Sequence, residues 1–310
     1  MSDFFTPEVV TLILASAITY ATPYLFAAIG EMFAQRSGVV NLGVDGIMLV
    51  GAFASFYIVL NTGSLLLGVL AAVIVGVLMG LLMSVISVTL RAEQGISGIG
   101  LYMFGLGLSS LLFKVLVGTV KTVDGFPTIK IPVLSDIGFI GPVFFEHSLP
   151  TYVAFLLVPM AWWFLEKTTW GLKIKSVGQN PAAADSLGVS VNRVRYFCVC
   201  LGSVFAAIAG ASLSIALVDL FQENLTAGMG FIAVALVYFG GWRPLGIMLG
   251  ALLFSSINAL QLWMQVKHVP IPADIAVMLP YLLTIIALMV SVNRARQPAA
   301  LNKPFERGEN

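Results

Sequence analysis

Long apolar stretches separated by short polar ones run through almost the whole of this 310-residue sequence. A helix needs about 20 mostly apolar residues to cross the hydrocarbon core of a bilayer. By this criterion the sequence predicts nine spanning segments, with ten as an alternative. The nine lie at roughly 9–30, 44–60, 64–90, 95–117, 149–165, 196–218, 228–240, 245–263 and 274–292. The predicted fold is an all-α integral membrane protein, a polytopic bundle of about nine to ten transmembrane helices.

The composition supports a membrane location. Hydrophobic residues make up 59% of the chain and charged residues 10%, whereas soluble domains carry about 25% charged residues. A soluble protein of this length could not hide so much apolar surface from water. We therefore predict a single transmembrane domain over 1–310. The net charge of +1 gives no sign of a nucleic-acid partner. No Lys or Arg precedes the first apolar segment, which favours a retained span over a cleaved signal peptide.

Lys and Arg residues divide unequally between the two sides of the predicted bundle. With nine alternating spans, one side receives twelve of them and the other side three. The larger group comprises Arg36, Arg91, Lys167, Lys173, Lys175, Arg193, Arg195, Arg243, Arg294, Arg296, Lys303 and Arg307, and the smaller group Lys121, Lys130 and Lys267. Because positive residues accumulate in cytoplasmic loops, we predict an N-terminus outside and a C-terminus in the cytoplasm.

This orientation predicts the side of the membrane on which three polar regions lie. Residues 118–148 form a long extracytoplasmic loop that is rich in Pro, Gly and β-branched residues. Residues 166–195 form a long cytoplasmic loop. The tail 294–310 is also cytoplasmic, and we expect it to fray because it is polar.

A short polar helix with explicit ends is predicted inside the cytoplasmic loop. Asn180 is a good N-cap, and Pro181 suits the first helical position, where its missing N–H has no partner to lose. Three alanines follow, and Gly188 supplies a left-handed stop. A helix of about two turns is not stable alone in water, so it must dock on something. We expect Ala183, Ala184 and Leu187 to form one small apolar face, which would enter a groove on a cytoplasmic partner or lie on the membrane surface.

Uncharged polar and aromatic side chains within the spans are candidates for a translocation path. Each of them is equally compatible with bonding between helices or with facing lipid. The candidates are Ser97, Tyr102, Phe104, Asn258 and Gln261. The Gly-rich run 95–107 predicts a kinked or broken helix beside such a path, because irregular backbone at membrane depth must lie against protein or water.

Ionisable side chains within the spans are few, and Asp45 is the clearest. A charge at the bilayer centre costs roughly 2.5–3.5 kcal/mol on insertion scales. The sequence has no chain of buried Asp, Glu or His that could relay protons, which weighs against an ion-coupled carrier. It also has no P-loop, so transport driven by ATP would need another chain to hydrolyse it. We predict no catalytic residue and no metal site.

Three blocks of the sequence carry a family resemblance. The first is WGLKIKSVGQNPAAADSLGVSVNRVRYFCVCLGSVFAAIAGA at 170–211, the second GEMFAQRSGVVNLGVDGIMLVGAFASF at 30–56, and the third LVYFGGWRPLGIMLGALLFSSINALQ at 236–261. They resemble ABC importer permeases of the branched-chain amino acid, ribose and simple-sugar type. The second block is similar to the version found in the nucleoside and simple-sugar subgroup.

The resemblance implies a role for particular residues. The short helix would be a coupling helix that sits in a cleft on a cytoplasmic ATPase. The residues assigned to it are Gly178, Asn180, Pro181, Ala183, Ala184, Asp185, Leu187 and Gly188. A further motif near the cytoplasmic face consists of Arg36, Asn41 and Asp45, and Asp45 stands where the family usually has Glu. Tyr102 stands where many relatives carry Asn.

The resemblance also implies partners and a location. The partners would be a cytoplasmic ATP-binding cassette ATPase, a second permease (a paralogue or a second copy), an extracytoplasmic substrate-binding protein and membrane lipid. ATP and magnesium would belong to the ATPase, so this chain would be a transport subunit without a cofactor and not an enzyme. The expected location is the bacterial cytoplasmic, or inner, membrane.

The implied function is the inward transport of a small polar solute, with a nucleoside or a simple sugar as the leading classes. Two other classes stay open at this point. An ion-coupled secondary transporter would work without an ATPase and would need an ion site near the midplane. A membrane assembly subunit would have no polar path of its own.

Overall fold

The computed structural model describes residues 7–132, 135, 138, 140–266, 278, 282, 285–286, 289 and 297–307. In these ranges the chain forms eleven α-helices and two short strands. They are α1 (Pro7–Arg36), α2 (Val44–Thr62), α3 (Leu65–Ser84), α4 (Gln94–Leu116), β1 (Thr128–Lys130), α5 (Ile140–Phe144), β2 (Glu146–Ser148), α6 (Leu149–Lys167), α7 (Thr169–Gln179), α8 (Pro181–Ser186), α9 (Val191–Ala216), α10 (Met229–Phe239) and α11 (Pro244–Val266). A π-helical turn, Val85–Thr89, continues α3.

Seven helices are long and apolar enough to cross a membrane, namely α1, α2, α3, α4, α6, α9 and α11. They confirm seven of the predicted spans, and with them the all-α polytopic class. The segment 228–240 was also predicted to span, but α10 has only 11 residues. At 1.5 Å per residue it is about 16 Å long, roughly half of what a bilayer core requires. The predicted segment is therefore helical but is not confirmed as a helix that spans the membrane by itself. The ninth, 274–292, falls largely outside the described residues.

The inner layer of the bundle consists of α1, α2 and α9, which are the most buried of the seven long helices. Small residues let their backbones approach closely. A Cβ on Gly51 would lie 2.6 Å from the carbonyl oxygen of Ala207, and a Cβ on Gly210 would overlap the carbonyl group of Met48. Close approach of this kind holds helices together in lipid, where burial from water no longer drives association. The other four long helices surround this layer and expose apolar side chains.

The prediction of a kinked or broken helix over the Gly-rich run 95–107 is wrong, because α4 is continuous through this run. Two of its glycines serve close packing instead. Gly98 lies against the backbone of Leu42, and Gly105 against that of Gly46. Irregular backbone is found in the linker 37–43 between α1 and α2, which is buried in protein as such backbone must be.

Different contacts within the chain are found at the two ends of the bundle. At one end β1 pairs with β2, and Lys114 forms an exposed ion pair with Glu223. At the other end, residues from the larger Lys and Arg group meet. Arg36 bonds the turn after α10, Arg195 bonds the linker 37–43, and Arg307 pairs with α8.

The part of the tail that the structure describes, 297–307, contradicts the prediction that this region frays. The side chains of Ala300 and Leu301 are each only 5% exposed, and Phe305 packs against the main core. The N–H of Ala300 donates to the carbonyl oxygen of Gly178 at 2.9 Å. A polar composition read locally does not reveal that a few apolar residues find a distant surface to cover.

Candidate functional site

The short helix α8 forms where the sequence predicted it, and both of its ends are as expected. The Oδ1 of Asn180 accepts the N–H of Ala183 at 3.0 Å, and Pro181 occupies the first turn. Gly188 adopts a φ of +82°, a left-handed conformation that favours glycine at a helix end. Helix α8 connects α7 to α9, and both of these helices pack into the bundle.

The apolar side chains of α8 do not share one face, so this expectation was wrong. Ala184 is 3% exposed and packs into the chain's own core, whereas Ala183 is exposed and Leu187 is 84% exposed. The N–H of Leu187 donates to the carbonyl oxygen of Ala183 at 3.3 Å, so these two residues, four apart, lie on the same exposed side, and Ala184 lies on the buried side. The chain thus anchors α8 through Ala184 and presents a large apolar side chain outward through Leu187.

Two further residues of the predicted coupling set, Asp185 and Gly178, contact the C-terminal tail and α1 at the end of the bundle that carries α8. The Oδ2 of Asp185 accepts a hydrogen bond from the Nε of Arg307 at 2.9 Å. Gly178 lies so close to the carbonyl oxygen of Arg36 that a Cβ would overlap it. The segment that carries α8 is therefore held against the end of α1.

The motif residues Arg36, Asn41 and Asp45 do not form one cluster. The Oδ1 of Asp45 accepts the N–H of Gly230 at 2.7 Å, and its Oδ2 accepts the hydroxyl of Thr226 at 3.0 Å. Arg36 donates through Nε and Nη2 to the carbonyl oxygen of Trp242 at 3.0 and 2.7 Å. Asp45 thus holds the N-terminal end of α10, and Arg36 holds the turn after its C-terminal end. A carboxylate and a guanidinium at these two ends also suit the helix dipole.

Asn41 belongs to a buried network that sequence reasoning missed. Its N–H donates to the Oε1 of Glu31 at 3.0 Å, and the same oxygen accepts Nε2 of Gln35 at 2.9 Å. The Oε1 of Gln35 accepts the indole N–H of Trp242 at 2.8 Å. A carboxyl and an amide side chain four residues apart near the end of α1, at 31 and 35, were the available signal.

A cavity of about 420 Å³ lies between α1, the end of α9, the segment 225–229 and α11. This volume falls within the range of small-molecule sites. Its polar lining comes from Tyr20, Tyr24, Thr226, Asn258 and Gln261. The Nδ2 of Asn258 donates to the hydroxyl of Tyr24 at 3.1 Å. Thr226 also bonds Asp45, so the cavity wall is joined directly to the residue that holds α10.

The predicted path residues divide between this cavity and other places. Asn258 and Gln261 line the cavity. The three candidates on α4 do not: the hydroxyl of Ser97 donates to the carbonyl oxygen of Glu93 at 2.6 Å, and Tyr102 stacks edge-on against Phe231 of α10. Phe104 is half exposed and lines an apolar groove of about 580 Å³ between α2, α3 and α4.

Three of the polar residues that line the cavity were not among the candidates. Tyr20 and Tyr24 lie four apart on α1, which places them on one face of that helix. That spacing was a usable signal. Thr226 carried none, because it lies in an irregular segment whose position depends on Asp45.

A model of the family described as "Branched-chain amino acid transport system / permease component" matches residues 13–288. The chain belongs to this family of permeases. The match covers most of α1, the other six long helices, α8 and the cavity, and it confirms the resemblance drawn from the three sequence blocks. Membership of the family, together with the long apolar helices, makes the chain a multi-pass membrane protein and a transport subunit.

Individual relatives within this permease family are named for guanosine, for nucleosides and for glucose. The permease is 34% identical to the guanosine ABC transporter permease protein NupQ of Bacillus subtilis, over 97% of this chain and 98% of that one. It is 36% identical to the nucleoside ABC transporter permease protein NupC of Lactococcus lactis, over 93% and 95%. It is 38% identical to the putative glucose ABC transporter permease protein TsgC13 of Haloferax volcanii, over 82% and 78%. No solved structure matches the chain.

Proposed function

We propose that this permease is a membrane-spanning subunit of an ATP-driven importer that moves a nucleoside, or else a simple sugar, into a bacterial cell. The observation that carries the proposal is α8, a capped helix hung between two packed helices with Leu187 exposed. Such a helix suits insertion into a cleft on an ATPase that binds ATP and magnesium. The sequence has no P-loop of its own, so hydrolysis belongs to that partner.

The orientation is part of the proposal. The end that carries α8 and most of the Lys and Arg residues faces the cytoplasm, in keeping with the positive-inside rule. The N-terminus then lies outside and the C-terminus inside. The cavity lies at the far end of α9 from α8, on the side where a substrate-binding protein would deliver solute to the loop 118–148. A second permease, a paralogue or another copy, would complete the path.

The helices between α8 and the cavity suggest how the ATPase acts. ATP binding brings two ATPases together and moves α8. This motion passes into α9, which begins just after α8 and ends at the cavity wall. The permease performs no covalent chemistry. It alternates between outward-open and inward-open shapes, and the ATPase state sets which of them is favoured.

The solute class rests on the cavity lining. Its polar groups are hydroxyls and amides, and no charged side chain is among the lining residues that the structure describes. Tyrosine rings offer flat surfaces for a base or a sugar ring, and an amide both donates and accepts hydrogen bonds. These features suit a neutral, polar, ring-shaped solute. Relatives named for guanosine and nucleosides match 97% and 93% of the chain, and the relative named for glucose matches 82%, which favours a nucleoside over a sugar.

The test is purification of the permease with the products of its neighbouring genes, followed by ATPase assays in lipid nanodiscs. The candidate binding protein is added after loading with guanosine, with other nucleosides or with glucose, each in turn. We expect one loaded binding protein to stimulate ATP hydrolysis, and guanosine to be the first effective solute. If no ATPase co-purifies, and the chain alone takes up solute into liposomes along an ion gradient, the chain is a secondary transporter instead.

A further inference from the structure

The C-terminal segment 297–307, here called the strap, joins parts of the cytoplasmic end that are far apart in the sequence. The N–H of Ala300 donates to the carbonyl oxygen of Gly178, just before α8, at 2.9 Å. The N–H of Asn302 donates to the carbonyl oxygen of Gly38, in the linker 37–43, at 3.1 Å. The strap therefore bridges the segment that carries α8 and the linker that leads into α2.

The strap has the marks of a folded element. Ala300 and Leu301 are buried, and Phe305 packs against the main core. The N–H of Lys303 donates to the carbonyl oxygen of Ala300 at 3.2 Å, which closes a turn. Asn302 adopts a φ of +59° in this turn, a conformation that asparagine tolerates better than most residues.

A buried arginine ties the strap to the linker from within. Arg195, at the start of α9, is 1% exposed. Its Nη1 donates to the carbonyl oxygen of Lys303 at 3.0 Å, and its Nε to that of Ser37 at 3.3 Å. These two carbonyl groups come from the strap and the linker. A buried guanidinium is costly unless its N–H groups are bonded, so release of the strap would leave Arg195 poorly satisfied.

Side chains at the end of the strap reach two further elements. The Nε of Arg307 donates to the Oδ2 of Asp185 on α8 at 2.9 Å. Glu306 forms an ion pair with Arg91, which precedes α4. Exposed pairs of this kind contribute little stability singly. The first of them brings the end of the strap into direct contact with α8.

We infer that the strap is a positioning element of the coupling device. It holds α8 in register with the linker 37–43, so that movement of α8 reaches α2 as well as α9. The linker continues into α2, where Asp45 bonds Thr226 in the cavity wall. The inference rests on the proposed function, because it assumes that an ATPase moves α8. Physical continuity alone does not establish coupling, so the test measures the coupling itself.

Two substitutions at Asn302 form a matched pair. Valine is strongly disfavoured at a positive φ, whereas glycine adopts it freely. Asn302→Val should therefore loosen the turn and detach the strap, and Asn302→Gly should leave it in place. Each variant is co-purified with its ATPase and reconstituted into liposomes with the loaded binding protein. The measured quantity is the number of solute molecules transported per ATP hydrolysed.

We expect Asn302→Val to lower this ratio by about fivefold or more, a typical size for coupling between sites. Assembly with the ATPase and basal ATP hydrolysis should stay as in the wild type. Asn302→Gly should keep the wild-type ratio. A variant that ends after residue 296, and so lacks the strap, should lower the ratio at least as far as Asn302→Val.

Three outcomes would overturn the inference. A wild-type ratio for Asn302→Val would do so, and so would a wild-type ratio for the shortened chain. Failure of Asn302→Val to assemble, where Asn302→Gly assembles, would show that the strap serves folding alone. A different result bears on the proposed function instead: if the wild-type chain binds no ATPase, that proposal fails before the strap is tested.

Discussion

At the scale of single residues, Leu187 and Asn258 carry the two halves of the proposed function. Leu187 lies one residue beyond α8 and is exposed, whereas Asn258 lies inside the bundle and lines the cavity. The sequence analysis assigned Leu187 to the coupling helix and Asn258 to the candidate translocation path. It did not separate Leu187 from Ala184, because which side of a short helix is buried depends on the elements packed against it and not on its own sequence.

Replacing Leu187 with Asp should weaken binding of the ATPase. A large apolar side chain that anchors an interface typically contributes about 2 kcal/mol or more, which corresponds to roughly thirtyfold in affinity. Folding should be unaffected because the side chain is exposed. The measurement is co-purification of the ATPase over a range of concentrations.

The matched control for this change is Ser186→Asp, which adds the same charge to a neighbouring exposed position without removing an apolar side chain. We expect it to bind the ATPase almost normally. Equal loss in both variants would mean that charge, and not the loss of Leu187, weakens the interface.

Replacing Asn258 with Ala should slow transport. The change removes one neutral hydrogen-bonding group from the cavity, worth about 1 kcal/mol, so we expect a rate about fivefold lower. The rate is measured with the loaded binding protein in excess, so that delivery is not limiting. Leu262→Met, in the same lining, conserves volume and apolar character and should change the rate less than twofold. A normal rate for Asn258→Ala would remove the cavity from the path.

At the scale of elements, α10 differs most from its prediction. Its sequence is apolar enough for a span, but its helix ends at Phe239 after 11 residues. Polar groups hold it at both ends: Asp45 bonds Gly230, and Arg36 bonds Trp242. These partners lie about 200 positions away in the sequence, so no local pattern in 228–240 could have revealed them.

Replacing Asp45 with Ala should destabilise the protein. The change leaves the N–H of Gly230 and the hydroxyl of Thr226 buried without their acceptor, at a cost of about 1–3 kcal/mol for each group. Asp45→Asn keeps the size and one acceptor oxygen, so its loss should be smaller. Thermal unfolding of the purified permease measures both variants. Equal stability of Asp45→Ala and the wild type would show that Asp45 does not hold α10.

At the scale of the whole molecule, the two ends of the bundle differ in charge, as the distribution of Lys and Arg in the sequence predicted. Positive residues gather at the end that carries α8 and the strap, and the cavity lies toward the other end. Helix α10 alone is too short to cross, but Glu223 before it pairs with Lys114 at one end and Trp242 after it bonds Arg36 at the other, so the chain still passes between the two ends. The side of the membrane predicted for α8 does not depend on α10, because it follows from counting only the spans before α8, which are α1 to α4 and α6.

Cysteine labelling tests that orientation. Lys121→Cys and Lys173→Cys each introduce an exposed thiol at opposite ends of the molecule, after the native Cys198 and Cys200 are replaced by Ala. In intact cells, a membrane-impermeant maleimide should label position 121 and not position 173. Position 173 should become reactive once the membrane is permeabilised. The reverse pattern would invert the orientation and place α8 outside the cell.

The sequence by itself determined the features that depend on neighbouring residues. These are the long apolar helices, the capped helix α8 from Asn180 to Gly188, the uneven distribution of charge and the family resemblance. The tertiary structure alone decided the rest: that α10 stops short, that Tyr20 and Tyr24 join Asn258 around a cavity, and that the strap folds onto Gly38 and Gly178. The physical reason is range. Helix length and capping are set within a few residues, whereas a buried polar group is satisfied by whichever distant partner the packing brings to it.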